Sequence, residues 1–454
     1  MARGVRTLLT LAALLSMPAG ALVACSSDGG GTDAVTATSA APVATTPHAV
    51  GRVDETYVDD SRSTPAHGAV AERPERSIDT TVLYPAGGEP GGAPVLDAAP
   101  DRDGAPYPVV VFSHGLGGSF DSSRALLEGW AEAGFVVVAP QFPLTNADTE
   151  GSLDAADVQQ QPGDVSFVLD RVLDAPEGDD PLAGLVDPDQ VALAGHSNGA
   201  ITTLGAVANS CCRDDRADAA IVLSGADAPF ADGEYDFADT PPTLWVHGTE
   251  DAQVSYDGAV SMFNRAVGPK GLLTLDGADH ATWLRPGPVL DDVVAVTTDF
   301  LDAELLGDPA AGARLEGDGT DAATLEWVPD EGADVTIPTV PPPETDRQVS
   351  AEPSDDLVDG QPVTVTWSGF LPDGTINIVQ CAGDGTGGTA ACKLDDAFIL
   401  QPNPTGAGTT TIEVVTGPVG TGVCDADHAC VLAVNDSALS DPDAVIFLPL
   451  TFAG

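Results

Sequence analysis

The chain has 454 residues, of which 70 are Asp or Glu and 17 are Lys or Arg, so its formal net charge is -53. This charge excludes a nucleic-acid-binding protein and argues against electrostatic docking on anionic lipid. Hydrophobic residues still make up 43% of the chain and charged residues only 19%, which is not the composition of a disordered acidic protein. We therefore expect folded domains joined by loose segments.

The amino terminus has the parts of a secretory signal. Two arginines, Arg3 and Arg6, precede an apolar run that is too short to span a bilayer stably. The segment closes on LVAC at residues 22–25 before a Ser/Gly/Thr tract, and this arrangement resembles a bacterial lipobox. The resemblance implies removal of residues 1–24 and a lipid on Cys25, which would anchor an exported protein to the outer face of the bacterial cell membrane. An ordinary signal peptide that happens to contain a cysteine is the alternative.

The next segments are a tether and a large alternating region. Residues 25–50 are rich in Ser, Thr, Ala, Gly and Pro and predict a flexible tether. Residues 51–328 alternate strand-like and helix-like segments, and uninterrupted apolar strands such as 108–112 are typical of strands buried on both faces. This pattern predicts the α/β class, a mostly parallel sheet covered by helices. The predicted strands are 78–84, 109–113, 135–139, 191–194, 220–224, 243–247 and 272–275, and the predicted helices are 122–133, 163–173, 199–208, 256–266 and 289–305.

The carboxyl-terminal part changes character. Residues 329–347 are rich in proline and acids and predict a semi-rigid extended linker. Residues 348–454 have no helical period, and their short β segments alternate with Gly, Asp and Pro turns. They predict a small all-β sandwich.

Six cysteines remain after Cys25, and an even number in an exported chain indicates disulfides. The adjacent pair Cys211 and Cys212 is either two free thiols or one strained bond. The other four lie in the sandwich region: Cys381, Cys392, Cys424 and Cys430.

The motif GHSNG at residues 195–199 lies between a predicted strand and a predicted helix. A G-x-S-x-G motif in this context makes a sharp turn that presents a serine oxygen at the sheet edge, with a helix amino terminus behind it. We therefore predict that Ser197 is a nucleophile.

A serine hydroxyl needs an imidazole base and an acid that orients it. Of the seven histidines, His280 lies just after the last predicted strand of the large region, where an α/β-hydrolase carries its base. The chain order Ser, acid, His then requires an acid between residues 197 and 280. Asp251, at the end of the predicted strand 243–247, fits best, and Asp227 is the second candidate.

A tetrahedral intermediate also needs two backbone N–H donors. One is expected from Asn198, the residue after the nucleophile, and the other from FSHGLGG at residues 112–118, where Leu116 is the candidate. A merely flexible glycine turn is the alternative for that segment.

The segments 112–118, 195–199, 242–251 and 277–283 resemble bacterial α/β-hydrolases grouped with dienelactone hydrolases, platelet-activating-factor acetylhydrolases, chlorophyllases and cutinase-like polyesterases. The resemblance covers residues 51–328. It implies hydrolysis of carboxylic esters through an acyl-serine intermediate, with no metal or organic cofactor.

Two departures limit what the resemblance carries over. In the acetylhydrolases the acid follows the preceding strand, where this chain has Ser224 and Gly225, so the acid at Asp251 is the cutinase-like arrangement. Dienelactone hydrolases usually have a cysteine where this chain has Ser197. A general esterase is therefore favoured over a dienelactone-specific enzyme.

The stretch at residues 357–370 and the VQC at residues 379–381 resemble the neocarzinostatin family of seven-stranded immunoglobulin-like sandwiches. This resemblance implies two local disulfides, Cys381 with Cys392 and Cys424 with Cys430. It leaves two roles open, a module that spaces the enzyme or touches a surface polymer, and a carrier of a small apolar ligand.

The leading hypothesis is thus a membrane-anchored serine esterase that acts on a small or polymeric ester and functions as a monomer. The alternative is a binding protein whose sandwich sequesters an apolar molecule, with an accessory hydrolase domain.

Overall fold

A computed structural model describes residues 47–66, 70–151, 153–175, 180–231, 233–317, 323–329, 335–338, 347–370, 374–384, 391–393, 399–403, 406–436 and 445–454. The predicted signal segment, Cys25 and most of the predicted tether lie outside the described residues.

One large sheet organises the amino-terminal part. Its order is β10-β9-β8-β7-β6-β4-β5-β2-β1-β3, and the six neighbours from β9 to β5 are parallel. β2 pairs antiparallel with both β5 and β1, and β10 pairs antiparallel with β9. The predicted α/β class is confirmed. The strands are β1 (Ala49–Asp59), β2 (Arg76–Ala86), β3 (Val95–Leu96), β4 (Tyr107–Ser113), β5 (Val136–Gln141), β6 (Val186–His196), β7 (Ala219–Leu223), β8 (Thr243–Gly248), β9 (Lys270–Leu275) and β10 (Ala323–Val328).

Helices cover both faces of this sheet. In β4, Val109 and Val111 face one apolar cluster, and Val110 and Phe112 face the other, as the two-residue period of a strand requires. The first cluster contains residues of α2, α3 and α4, and the second contains residues of α1, α5 and α6. The helices are α1 (Phe120–Ala133), α2 (Gln161–Leu173), α3 (Asn198–Ala208), α4 (Tyr256–Arg265), α5 (Pro288–Leu306) and α6 (Pro309–Leu315).

A buried arginine joins β2 to the start of α2. Arg76 is fully buried, and its guanidinium binds Asp157 at 2.9 Å and Asp164 at 2.5 Å. Asp157 belongs to a 3₁₀ turn, Ala155–Gln159, that immediately precedes α2. Because each buried charge has an opposite partner, the cluster fixes this turn and the first turn of α2 against the sheet.

Part of the predicted linker contacts the α/β domain. The side-chain amide of Asn264 on α4 donates to the carbonyl of Ile337 and accepts its N–H, at 2.9 and 2.8 Å. The ammonium of Lys270 donates to the carbonyl of Val335 at 3.1 Å. The structure therefore places residues 335–337 against α4 and β9.

At the amino-terminal end of the α/β domain, β1 begins at Ala49, two residues before the predicted domain start.

The carboxyl-terminal part has a three-stranded sheet, β11-β12-β15, and a four-stranded sheet, β14-β13-β18-β19, with a separate hairpin of β16 and β17. Residues that alternate along β12, such as Val363, Val365 and Trp367, are buried in one apolar cluster with Ile376 and Leu432 of the other sheet. This β domain agrees with the predicted sandwich. Its strands are β11 (Gln348–Glu352), β12 (Gln361–Ser368), β13 (Gly374–Ala382), β14 (Ile399–Asn403), β15 (Gly408–Val414), β16 (Gly417–Val419), β17 (Gly422–Cys424), β18 (Cys430–Asp436) and β19 (Ile446–Leu450).

Three disulfides are present among the described residues. Cys381 pairs with Cys392 and Cys424 with Cys430, as the resemblance implied. Cys211 and Cys212 are bonded to each other, which decides between the two states that the sequence left open. Across the described ranges, none of the helices is long and apolar enough to cross a membrane.

Candidate active site

Ser197 occupies a sharp turn between β6 and α3. Its φ of 56° is unusual for a residue with a side chain, and its N–H donates to the carbonyl of Leu223 at 3.0 Å. A Cβ atom on Gly195 would overlap the carbonyl of Gly199, and one on Gly199 would overlap the carbonyl of Ser113. Both glycines of the motif are therefore required by close backbone contacts.

His280 and Asp251 form a buried pair. The carboxylate Oδ2 of Asp251 lies 2.7 Å from Nδ1 of His280, and the two residues are 8% and 7% exposed. The other oxygen, Oδ1, accepts the N–H groups of Gln253 and Val254, both at 2.9 Å. Both oxygens of Asp251 are therefore held by hydrogen bonds. Because Nδ1 of His280 faces this carboxylate, Nε2 is the ring nitrogen that is left to act on another group.

The pair is held together by backbone contacts between the loops after β8 and β9. Glu250 N–H donates to the carbonyl of Ala278 at 3.0 Å, and Gly277 N–H donates to the hydroxyl of Thr249 at 2.9 Å. A Cβ atom on Gly248 would overlap the carbonyl of Ala278. The two loops therefore approach as closely as their backbones permit.

His196 connects the serine turn to the histidine loop. Its Nε2 lies 3.1 Å from the carbonyl oxygen of His280, its ring centroid is 4.8 Å from that of His280, and Trp283 packs edge-on against it. Burial lowers the pKa of His196 to about 3, so its ring is neutral and donates this hydrogen bond. These contacts bring His280 next to the residue that precedes Ser197.

The Ser197 hydroxyl itself makes no hydrogen bond within the described part of the chain. Catalytic hydrogen bonds are often long without substrate and shorten in the complex. The structure thus brings Asp251 and His280 together beside the turn that contains Ser197. The Ser197 hydroxyl does not hydrogen-bond to the His280 ring in this arrangement.

His247 is a second neighbour of Asp251. Its Nε2 lies 2.9 Å from the carbonyl of Val254 and 3.3 Å from Oδ2 of Asp251. Burial alone would raise the pKa of Asp251, but the hydrogen bonds from His247 and His280 outweigh burial and lower the pKa well below its usual range. Nothing in the spacing of the sequence predicts the approach of His247 to Asp251.

The two predicted oxyanion donors lie beside Ser197. A Cβ atom on Gly115, next to Leu116, would be 3.3 Å from Cβ of Ser197, so the loop after β4 lies against Ser197. Asn198 is the first residue of α3, where helical N–H groups lack partners. Among the described residues, the N–H groups of Leu116 and Asn198 have no hydrogen-bond acceptor. Both are therefore available to a ligand.

His114 supports the Leu116 loop. Its Nδ1 lies 2.8 Å from the carbonyl of Gly115, and its Nε2 accepts the N–H of Phe142 at 3.1 Å. Burial lowers the pKa of His114 to about 4, so the ring is neutral with its proton on Nδ1. Phe142 is fully buried, and its ring centroid lies 5.1 Å from that of His114.

Asp227, the second candidate for the acid, forms an ion pair with Arg265. Its Oδ2 binds the guanidinium of Arg265 at 2.5 Å on a partly exposed surface.

Within the described residues, no group of three or more His, Cys, Asp and Glu side chains is placed to hold a metal ion.

Family models match two separate parts of the chain. The chlorophyllase model matches residues 77–230, and the neocarzinostatin family model matches residues 349–450. The chain joins a chlorophyllase-like α/β-hydrolase region to a neocarzinostatin-like domain. The chlorophyllase-like region contains the Leu116 loop and Ser197 but ends before Asp251 and His280, whose assignment therefore depends on their geometry.

The match to the chlorophyllase model supports the predicted carboxylic ester hydrolase. A solved structure that resembles the chain is the ferulic acid esterase from Streptomyces cinnamoneus, with 22% identity and a TM-score of 0.45 over 60% of this chain and 93% of that chain. No curated protein matches the sequence.

Proposed function

We propose that the chain is a serine carboxylic-ester hydrolase in which Ser197, His280 and Asp251 form the catalytic triad. The observation that carries the proposal is the buried 2.7 Å contact between Asp251 and His280, joined through His196 to the turn that presents Ser197. A buried acid, an imidazole and a serine on a strand-to-helix turn are the parts that acyl transfer requires.

In the first half of the proposed reaction, Nε2 of His280 takes the hydroxyl proton as Ser197 Oγ attacks the ester carbonyl carbon. The carbonyl π electrons move to oxygen, and the resulting oxyanion accepts hydrogen bonds from the N–H groups of Leu116 and Asn198. Asp251 stays ionised, since its pKa is lowered, and stabilises the imidazolium.

Collapse of this intermediate breaks the bond to the alkoxy oxygen, which leaves as an alcohol with the proton from His280. The acyl group stays on Ser197. A water molecule then gives its proton to His280, attacks the acyl carbon and releases the carboxylic acid, and the proton returns to Ser197. Nucleophile, base and oxyanion donors all come from the chain, so this reaction needs no metal or organic cofactor.

The remaining expectations complete the proposal. The substrate is a small or polymeric ester, the protein is a monomer, and a lipid on Cys25 holds it at the outer face of the cell membrane. The sequence at residues 22–25 supports the anchor. Replacement of Cys25 by serine should move the protein from the membrane fraction to the medium, and retention in the membrane fraction would contradict the anchor.

The test of catalysis is Ser197→Ala against a series of p-nitrophenyl esters from acetyl to palmitoyl, run beside a polyester film. Activity should fall to background on every ester, and a fluorophosphonate probe should label the parent protein at Ser197. The matched control is Ser210→Ala, which changes an exposed serine beyond the far end of α3. Ester hydrolysis that survives Ser197→Ala would refute the proposal.

A further inference from the structure

A buried carboxamide connects the two segments that carry the oxyanion donors. Gln161, the first residue of α2, donates from Nε2 to Oγ1 of Thr145 at 2.8 Å and accepts at Oε1 from Oγ1 of Thr202 at 2.5 Å. All three side chains are fully buried. We call this set of three residues the Gln161 bridge.

On one side, the Gln161 bridge reaches the loop of Leu116. The carbonyl of Thr145 accepts the N–H of Gly117 at 2.7 Å, and the N–H of Ala147 donates to the carbonyl of Gly118 at 2.8 Å. These bonds fix the chain directly after Leu116. The carbonyl of Gly115, in the same peptide plane as the Leu116 N–H, is held by His114 and by the N–H of Gly118. The position of the Leu116 N–H therefore depends in part on where Thr145 lies.

On the other side, the bridge reaches the first turn of α3. Thr202 lies one turn after Asn198, and its Oγ1 is 3.2 Å from the carbonyl oxygen of Asn198. The N–H of Asn198 belongs to the same turn. Gln161 is thus linked through Thr145 and Thr202 to both segments that carry the proposed oxyanion donors, and it hydrogen-bonds to neither donor.

The carboxamide is itself held in place. Asp157 and Asp164, which flank Gln161 in sequence, both bind the buried guanidinium of Arg76. A glutamine side chain has an NH2 group that donates to Thr145 and a carbonyl oxygen that accepts from Thr202, and an apolar side chain of similar size offers neither. A satisfied buried polar network of this kind fixes a unique geometry.

We infer that Gln161 is a positioning residue that sets the separation and direction of the Leu116 and Asn198 N–H groups. The inference rests on the proposed esterase function. Oxyanion donors must lie about 2.7–3.1 Å from the position that the developing charge will occupy. A displacement of roughly 1 Å costs about 10²-fold in rate.

The experiment compares Gln161→Met and Thr202→Val with the parent enzyme on one p-nitrophenyl ester. We expect kcat to fall about 10- to 100-fold, within the range for misplaced groups, while KM stays within about threefold. The inhibition constant of a trifluoromethyl ketone should rise in proportion, because the hemiketal that it forms with Ser197 places an oxyanion in the same hole. If Gln161 only stabilised the fold, the inhibition constant of the ketone would not rise in proportion to the fall in kcat.

The matched control is Thr203→Val. Thr203 is the next residue of α3, is equally buried, and donates to the carbonyl of Gly199 at 3.0 Å, but it makes no hydrogen bond to Gln161. Its replacement should leave kcat and the inhibition constant within about threefold of the parent values. If Gln161→Met does not fold, Thr145→Val and Thr202→Val each remove one bond of the bridge and carry the same expectation.

Unchanged kcat and ketone binding in the folded bridge variants would overturn the inference, and so would equal losses in Thr203→Val. Failure of the proposed function would differ, because the parent would then show no hydrolysis that depends on Ser197, and the inference would fall with it.

Discussion

The carboxylate of Asp251 lies 2.7 Å from Nδ1 of His280, and neither residue is more than 8% exposed. Replacement of Asp251 by asparagine removes the charge that orients and stabilises the imidazolium. We expect kcat for p-nitrophenyl esters to fall by about 10⁴-fold with little change in fold, as judged by circular dichroism.

The control for this prediction is Asp227→Asn, which alters the second candidate acid and breaks its ion pair with Arg265. Its activity should stay within about twofold of the parent. Equal losses in the two variants would argue against Asp251 as the acid.

Arg76 should be a large contributor to the stability of the catalytic domain. Arg76→Met leaves Asp157 and Asp164 buried without their common partner, which typically costs about 3–5 kcal/mol. The free energy of unfolding in urea should fall by that amount. The exposed pair of Arg73 and Glu150 provides the comparison. Arg73→Met should change the free energy of unfolding by less than about 1 kcal/mol.

His114 should make the catalytic domain less stable in mild acid. Its pKa is lowered to about 4 in the folded state, whereas an unfolded histidine titrates near pH 6.5. The unfolded state therefore binds more protons between these values, so stability is complete above pH 6.5 and is lost as the pH falls toward 4. Between pH 7 and 4.5 the loss from this residue is about 2–3 kcal/mol.

His114→Gln keeps an acceptor for the N–H of Phe142 but does not titrate, so urea unfolding at the two pH values should show a smaller difference than in the parent. Ser210→Ala, which changes an exposed residue that does not titrate, should leave the difference unchanged. An identical pH dependence in the parent and in His114→Gln would refute the prediction.

Asp302 on α5 should destabilise the protein above pH 6. Burial, together with the nearby charges of Asp299 and Asp308, raises its pKa to about 6. An acid with a raised folded pKa loses stability as the pH rises from about 4 to 6, so Asp302→Asn should raise Tm by several degrees at pH 8 and have almost no effect near pH 4.

Asp299→Asn is the comparison on the same helix. Asp299 binds Arg314 at 2.5 Å, and its charge also raises the pKa of Asp302. Asp299→Asn removes both an ion pair and a repulsion, so it should change Tm at pH 8 by less than Asp302→Asn does. A lower Tm for Asp302→Asn at pH 8 would contradict the expected rise and show that the buried carboxylate stabilises the fold.

The sequence predicted the fold because its signals are local. Apolar runs and glycines specified the parallel strands, and the predicted helices begin and end within two residues of those in the structure, as for residues 256–266 and α4. The strand β10 and the short helix α6 were not predicted, since β10 pairs with β9 through contacts distant in sequence and α6 spans only two turns.

Some residues of the candidate site could likewise be predicted from local motifs, and others could not. Ser197 and the Leu116 loop lie in short motifs from which their proposed roles could be predicted. The contacts of His247 with Asp251 and of Gln161 with Thr202 were not predicted, because the motifs do not show which side chains meet in the fold. The contact of residues 335–337 with Asn264 is a further example, since a proline-rich composition indicates extension but not attachment.

The burial of Lys270 gives the protein an unusual chemical property. The chain has only two lysines, and the ammonium of Lys270 donates to the carbonyls of Phe263 and Ala266 in the core of the catalytic domain. An acylating reagent that seeks side-chain amines should therefore reach Lys270 only when the catalytic domain opens. Mass spectrometry of the acylated peptide around residue 270 would report the opening of that domain separately from the sandwich.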